Sequence, residues 1–313
     1  MIRKSALAVA LVVASPALAA PDLGESLKAL QALDARVQSV GWRLVRGNAR
    51  FCRDLAPAIG LQLLDTAGFA DPAAVRSALG LPGEIAVEAV AAQGPAARAG
   101  LRPNQGLGVV AGRPVTALPA AQPGDYTRLA GLHDAIDAAL VAHGKVAFGD
   151  ANGTAIVVAG EPACPTRFEL LTQGARAAAN GRRVTIGRAL AEELPEDELL
   201  AAALAHELAH NLLGHRARLD AGGRSWTKVK ATEREADRLM PWLLANAGFD
   251  PSAAGRFFAR WGPKHDLGLL ATPDHDGWKS RVKRVDGEAA RVAAARTADG
   301  GADWAAVFLT LRP

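Results

Sequence analysis

Apolar residues recur at Leu27, Leu30, Leu33, Val37, Val40, Leu44 and Val45, a three-and-four spacing that lays one hydrophobic stripe along a helix over residues 23–45. Such a stripe needs cover, so this helix is expected to pack on something larger. From about Cys52 to Cys164 the pattern changes to short apolar runs broken by Gly and Pro, which predicts a separate, mainly β module. Within it, Ile85 to Val90 reads as a strand, and Gly94 to Gly100 as a tight turn with a short Ala-rich helix stopped by Gly100. Val109 to Val115 reads as a second strand with a glycine turn. After about Arg167 the helical pattern returns. Asn180-Gly181 marks a turn before the strand-like Arg183 to Ile186, and Pro195-Glu196-Asp197-Glu198 opens a long helix that is apolar from Leu199 to Ala205.

A chain of 313 residues, half of them apolar, has room for about two packed domains. Its first residues read as a secretory signal: Arg3 and Lys4 supply the charge, Ala6 to Ala14 the apolar run, and Ala17-Leu18-Ala19 the small-x-small cleavage site, leaving Ala20 as the first mature residue. The apolar run is far short of the ~20 residues a bilayer span needs, and nothing after residue 20 is long and apolar enough. The predicted organisation is a signal peptide over 1–19, an amphipathic helix over 20–51, a β domain over 52–165 and a mainly helical domain with a small sheet over 166–313, an α+β chain. Without Arg3 and Lys4, 34 basic face 32 acidic side chains, so charge gives no reason to invoke nucleic acid, and nothing sets an oligomeric state. Exported to a periplasmic or extracellular, oxidising compartment, Cys52 and Cys164 are expected to form a disulfide bracketing the β domain.

The chemistry centres on His206-Glu207-Leu208-Ala209-His210. Four residues advance a helix by about 400°, so His206 and His210 lie about 40° apart and one turn along, placed to share a metal ion, with Glu207 beside them as a base. Inside so apolar a helix, two imidazoles and a carboxylate are costly to bury without a role. A catalytic zinc needs three protein ligands and an open position. Candidates for the third are His215, Glu233 and Glu235. His215 stands about 180° around from His206 if the helix continues, which favours a helix-end or surface position. Glu233 and Asp237 are four apart and share a face, so one ligates while the other orients an imidazole, which favours Glu233 and leaves Glu235 on a solvated face.

Two resemblances follow from these residues. Ile85 to Val115, with Pro95-Ala96-Ala97-Arg98-Ala99-Gly100-Leu101, is similar to PDZ domains of bacterial exported proteases, with Ala58-Ile59-Gly60-Leu61 as candidate peptide-carboxylate loop. Asn104-Gln105 stands where that family has Gly-Asp. Arg182 to Arg188, the His-Glu-Leu-Ala-His helix ending in Gly214-His215, Glu233-Arg234-Glu235-Ala236-Asp237 and Ala247-Gly248-Phe249-Asp250 resemble the HtpX- and BepA-type gluzincin metallopeptidases, related to the CAAX prenyl proteases, over residues 165–285. That resemblance implies one zinc per chain on His206, His210 and Glu233, Glu207 as general base and Asp237 orienting a ligand. It also implies His275 as a transition-state donor or gate and Arg281 paired with a carboxylate, although Asp276 replaces the family's Pro.

The expected function is an exported zinc endopeptidase acting on protein or peptide substrates of the cell envelope, in protein quality control. Substrate would add as a strand beside Val184 to Ile186, and the PDZ-like domain would select or present it. The rival is a non-catalytic binding or chaperone-like module with a structural zinc.

Overall fold

A computed structural model of the chain describes residues 22–119, 121–150, 152–265, 276–297 and 300–309. The signal-sequence reading of residues 1–19 and the assignment of His275 lie outside the described residues. The first helix, α1 (Leu23–Gly47), divides its apolar stripe between two cores. Leu27 packs with Leu64, Val75 and Leu79 of the following module. Val37, Val40, Trp42, Leu44 and Val45 enter the larger core of the C-terminal residues. The segment is thus a spine shared by both units. At Gly41 a Cβ would fall 2.3 Å from the ring of Phe168, so glycine is what lets that ring rest on the helix.

The chain enters the module through β1 (Ala56–Ala58) and leaves through β8 (Glu161–Ala163), which pair antiparallel with Ala56 opposite Ala163. Cys52 and Cys164 form a disulfide at this neck, Cα atoms 5.6 Å apart. Between them, β2 (Leu61–Asp65) and β3 (Ile85–Val90) form one antiparallel pair, with α2 (Pro72–Leu79) in the connection. After α3 (Pro95–Arg98) comes a second sheet of order β5-β4-β6-β7, built from β4 (Leu107–Val110), β5 (Arg113–Pro114), β6 (Lys145–Asp150) and β7 (Ala155–Ala159). Helix α4 (Thr127–His143) runs between β5 and β6. The module is therefore less purely β than its sequence texture suggests. Leu132, Ile136 and Leu140 of α4 carry a helical spacing and are buried, but interspersed Ala and Gly131 dilute the pattern. Asn104 adopts φ 65°, a left-handed conformation that Asn tolerates better than most residues, and its Oδ1 accepts from Gln31 Nε2 of α1 at 2.8 Å.

The C-terminal unit begins with a sheet of order β10-β11-β9: β9 (Arg167–Leu171), β10 (Ala177–Ala179) and β11 (Arg183–Gly187). The Asn180-Gly181 turn joins β10 to β11, with Asn180 Oδ1 accepting from the backbone N–H of Arg182 and Arg183 at 3.0 and 2.7 Å. β9 lies parallel to β11, a pairing that the sequence reading did not include. Helices α5 (Arg188–Glu193), α6 (Asp197–Leu212), α7 (His215–Gly222), α8 (Trp226–Asn246), α9 (Ala253–His265), α10 (Trp278–Ala294) and α11 (Trp304–Phe308) complete it. The whole is a mainly helical α+β fold. α6 is central, packed by α1, α8, α9, β10 and β11. Leu200, Leu204 and Leu208 are fully buried on it, each contributing about 1.5–3 kcal/mol by leaving water. At the far end, buried Asn48 donates to the carbonyls of Leu44 and Leu243 and accepts from Asn246 and Trp304, joining α1, α8 and α11. No helix among the described residues is long and apolar enough to cross a membrane.

Where α1 meets β3, Asp34 and Glu88 are both buried carboxyls. Burial, then the neighbouring Glu88 and Glu169 carboxylates, push Asp34 up to about 8 from an ordinary 3.8, against the hydrogen bond from Gln38. Burial raises Glu88 to about 7, against Gln31. Carboxyls raised on folding stabilise fully below about pH 4 and lose that contribution as pH climbs through the folded values. Asp34→Asn should therefore gain thermal stability over wild type by a few degrees more at pH 8.5 than at pH 5. Parallel melting curves at the two pH values would contradict this. The disulfide closes a separation of 112 residues, for which the chain-entropy ceiling is about 4.7 kcal/mol. The Cys52→Ser, Cys164→Ser double variant should melt well below wild type yet bind metal with unchanged stoichiometry, checked by calorimetry and metal analysis.

Candidate metal centre

α6 and α8 pack face to face and bring His206, His210 and Glu233 together. His206 Nε2 lies 3.2 Å from His210 Nε2 and 3.2 Å from Glu233 Oε2, and His210 Nε2 lies 3.4 Å from Glu233 Oε1. A cation held tetrahedrally by bonds of about 2.0–2.2 Å places its ligand atoms roughly 3.3–3.6 Å apart, close to the spacing of the two imidazole nitrogens and of each from a carboxylate oxygen. Their side chains are 11, 16 and 15% exposed, so the cluster is partly open to solvent rather than sealed. These residues fit a metal ion.

The electrostatics point the same way. His206 Nδ1 is buried and lies 3.3 Å from Asp237 Oδ1, within ion-pair range but short of hydrogen-bond geometry. Burial opposes charge on His206, yet Asp237 and Glu233 outweigh it and lift the imidazole to about 10. The surroundings thus favour a positive charge at this point, which a metal cation would also satisfy. Asp237 is itself ionised: burial acts to raise it, but the Arg281 guanidinium and His206 hold it below the ordinary range. Arg281 donates to Asp237 Oδ1 at 2.6 Å and Oδ2 at 3.0 Å, and Arg284 to Oδ2 at 2.9 Å. Arg284 also reaches Asp276, which Arg234 and Lys230 hold at 2.7 and 2.9 Å. Asp276 is thus an anchor, tied to α8 on either side of Glu233. Phe258 floors the site, with the Arg281 guanidinium carbon 4.0 Å from its centroid.

Two residues differ from the sequence reading. Helix α6 stops at Leu212, and Gly214 at φ 61° is the left-handed residue that ends it. His215 therefore begins a new helix and turns back instead of facing away. It is 1% exposed, its Nδ1 2.9 Å from His210 Nδ1 and its Nε2 3.2 Å from Glu235 Oε2. Glu235, expected on a solvated face, is half-buried and also accepts from Arg218 at 3.0 Å. Burial lowers His215 to about 4, with the His210 ring adding to the effect and Glu235 opposing it. Burial acts to raise Glu235, but His215 and Arg218 hold it down at about 2. The signal for His215 lies in Gly214, a helix stop between it and His210, and Glu235 is covered because His215 turns toward it.

Glu207 lies on the same helix, half-buried, outside the donor set, and its carboxylate makes no side-chain hydrogen bond among the described residues. β11 cannot accept a further strand, because β10 and β9 flank it on both sides. The outer edge of β9 faces α1, where Gln38 Nε2 donates to Phe168 O at 2.7 Å. Among the described strands of this sheet, β10 presents the uncovered edge. Asn211, next to His210, accepts from Gly181 N at 2.6 Å and donates to Arg183 O at 3.2 Å, which pins the β10–β11 turn to the motif helix.

In the β module, the groove between β2 and α4 behind Ile59-Gly60-Leu61 holds about 60 Å³, room for a few waters and not for a peptide. Trp42 and Gln38 of α1 and Phe168 line it. Arg128 of α4 makes a two-pronged bond to Asp65 of β2, both contacts 2.6 Å, and buried, neutral His133 accepts from Leu63 N at 3.4 Å.

No protein-family model matches the chain, and no curated protein is similar enough to count as a match. The geometry predicts that removing one donor, as in His206→Ala or Glu233→Ala, abolishes stoichiometric metal binding. Asp237→Asn should weaken it by about 10–100-fold, the usual consequence of losing a carboxylate behind a ligating imidazole. Titration with a chromophoric chelator would check both, and metal binding by His206→Ala equal to wild type would dismiss the cage.

Proposed function

We propose that this chain is an exported zinc endopeptidase of the HtpX/BepA gluzincin type, cutting protein or peptide substrates of the cell envelope in protein quality control. The observation that carries the reading is the open three-donor cage with an uncommitted carboxylate beside it. A catalytic zinc takes three protein ligands and keeps a position open, whereas a structural zinc has four. When bound, zinc would polarise the scissile carbonyl and lower the pKa of water toward about 7. Glu207 would take the proton from the attacking water and deliver it to the leaving amine. Arg281 and Arg284 keep Asp237 ionised behind His206, so the ligand ring stays oriented through turnover. Substrate would add along the free edge of β10 rather than beside β11, its backbone bonds giving affinity with little sequence preference.

The order of elements in the module, with Gly60 at φ 64° before β2 and α4 across the groove, supports the PDZ-like reading. The closed groove supports a brace more than a substrate-presenting arm, and it weighs against the rival binding function. The disulfide is compatible with an oxidising compartment.

Glu207→Gln should retain about one zinc per chain and lose at least 100-fold in casein cleavage, because only proton transfer is removed. Wild type that binds zinc and cleaves neither casein nor a peptide library would refute the enzyme.

A further inference from the structure

His215 and Glu235 are the most heavily organised polar groups near the cage that the ligand set leaves without a task. Resting on the metal reading of His206, His210 and Glu233, we propose that His215 and Glu235 are positioning residues that lock His210 in the tautomer presenting its Nε2 lone pair to the cation.

A neutral imidazole carries one N–H. For His210 to ligate through Nε2, that hydrogen must sit on Nδ1, which faces His215 Nδ1 at 2.9 Å. Two ring nitrogens at this distance share one hydrogen, so one donates and the other accepts. If His210 donates, His215 Nδ1 is bare and its own hydrogen sits on Nε2, 3.2 Å from the Glu235 carboxylate, which accepts it. Every group is then satisfied. In the opposite arrangement His215 donates, its bare Nε2 faces the Glu235 carboxylate lone pair to lone pair, and His210 points an N–H into the cage. Glu235, which accepts from Arg218 at 3.0 Å and has no hydrogen to offer as a carboxylate, decides between the two.

The two ligating imidazoles are thus oriented in different ways. His206 faces the carboxylate of Asp237 directly, and His210 reaches that of Glu235 through an intervening ring. The second arrangement depends on Gly214, whose left-handed turn swings His215 back under His210.

The test uses the full chain with His215→Leu, His215→Asn and Glu235→Ala, each shown to be folded by circular dichroism. Zinc affinity is read by chelator competition, and the His210 tautomer by long-range proton–nitrogen correlation in metal-free protein. In wild type His210 should carry its hydrogen on Nδ1. His215→Leu and Glu235→Ala should bind zinc about 10–100-fold more weakly, as expected when a partner behind a ligand is lost. His215→Asn, whose Oδ1 can replace Nδ1 as acceptor, should stay within a few-fold of wild type, a rescue that simple filling of space would not give. Should His215→Leu fail to fold, Glu235→Ala carries the same expectation from the half-buried end of the relay. Wild-type affinity in the folded Leu or Ala variant, or a wild-type His210 protonated at Nε2, would overturn the proposal while leaving zinc binding intact. Wild type that binds no zinc would overturn the metal reading and this proposal with it.

Discussion

Two imidazoles of the otherwise apolar helix α6 and a carboxylate of α8 converge, each imidazole nitrogen 3.2–3.4 Å from the other and from a carboxylate oxygen, and such convergence is unfavourable unless positive charge sits among them. The surrounding architecture follows from that constraint. Apart from Glu207, α6 is buried from Leu199 to Ala209, so its polar residues there depend on the partners that neighbouring elements bring to them. α8 supplies Glu233 as the third donor, Asp237 behind His206, and Glu235 behind His215. One stretch of five residues thus serves the cage at three points. α10 answers the resulting negative charge with Arg281 and Arg284, and Asp276 closes the network back onto Arg234 and Lys230 of α8.

The same helix sets the relation between the cage and the sheet. Asn211 follows His210 directly and holds the β10–β11 turn through two backbone groups, so the uncovered edge of β10 is registered to the motif helix by one side chain. On the opposite side, α1 covers the edge of β9 and the mouth of the β2–α4 groove with residues one helical turn apart, Gln38 and Trp42. α1 thus lines that groove while anchoring the C-terminal core, so one helix packs on both the module and the domain that carries the site. The disulfide reinforces this at the neck, where the chain passes in and out of the module.

What the sequence reveals and what it hides divide along physical lines. α1, β3, β11 and α6 were legible because their signals are local: a three-and-four stripe, a β-branched run, a turn dipeptide, an acidic helix start. The pairing of β9 with β11 was not, because a parallel ladder is set by tertiary packing and leaves no turn to read. That hidden strand is why substrate addition beside Val184 to Ile186 was a reasonable expectation and an incorrect one. Helix α4 was hidden by Ala and Gly that fit several textures. At the site, His206, His210 and Glu233 follow from helical geometry and do converge. His215 departs from its projected position because an angular projection holds only while the helix continues, and Gly214 ends it first; Glu235 is half-buried because His215 and Arg218 cover it from α7. A glycine just past the periodic stretch is a readable stop.

The central claim is that the fold prearranges a three-donor cage with one position left open. X-ray absorption at the metal edge on the full-length protein loaded with one equivalent of zinc addresses it directly. The expected first shell holds only nitrogen and oxygen atoms at about 2.0–2.2 Å, with two imidazoles, one carboxylate and one position taken by solvent. A shell of four protein ligands, or one with fewer than two imidazoles, would contradict it.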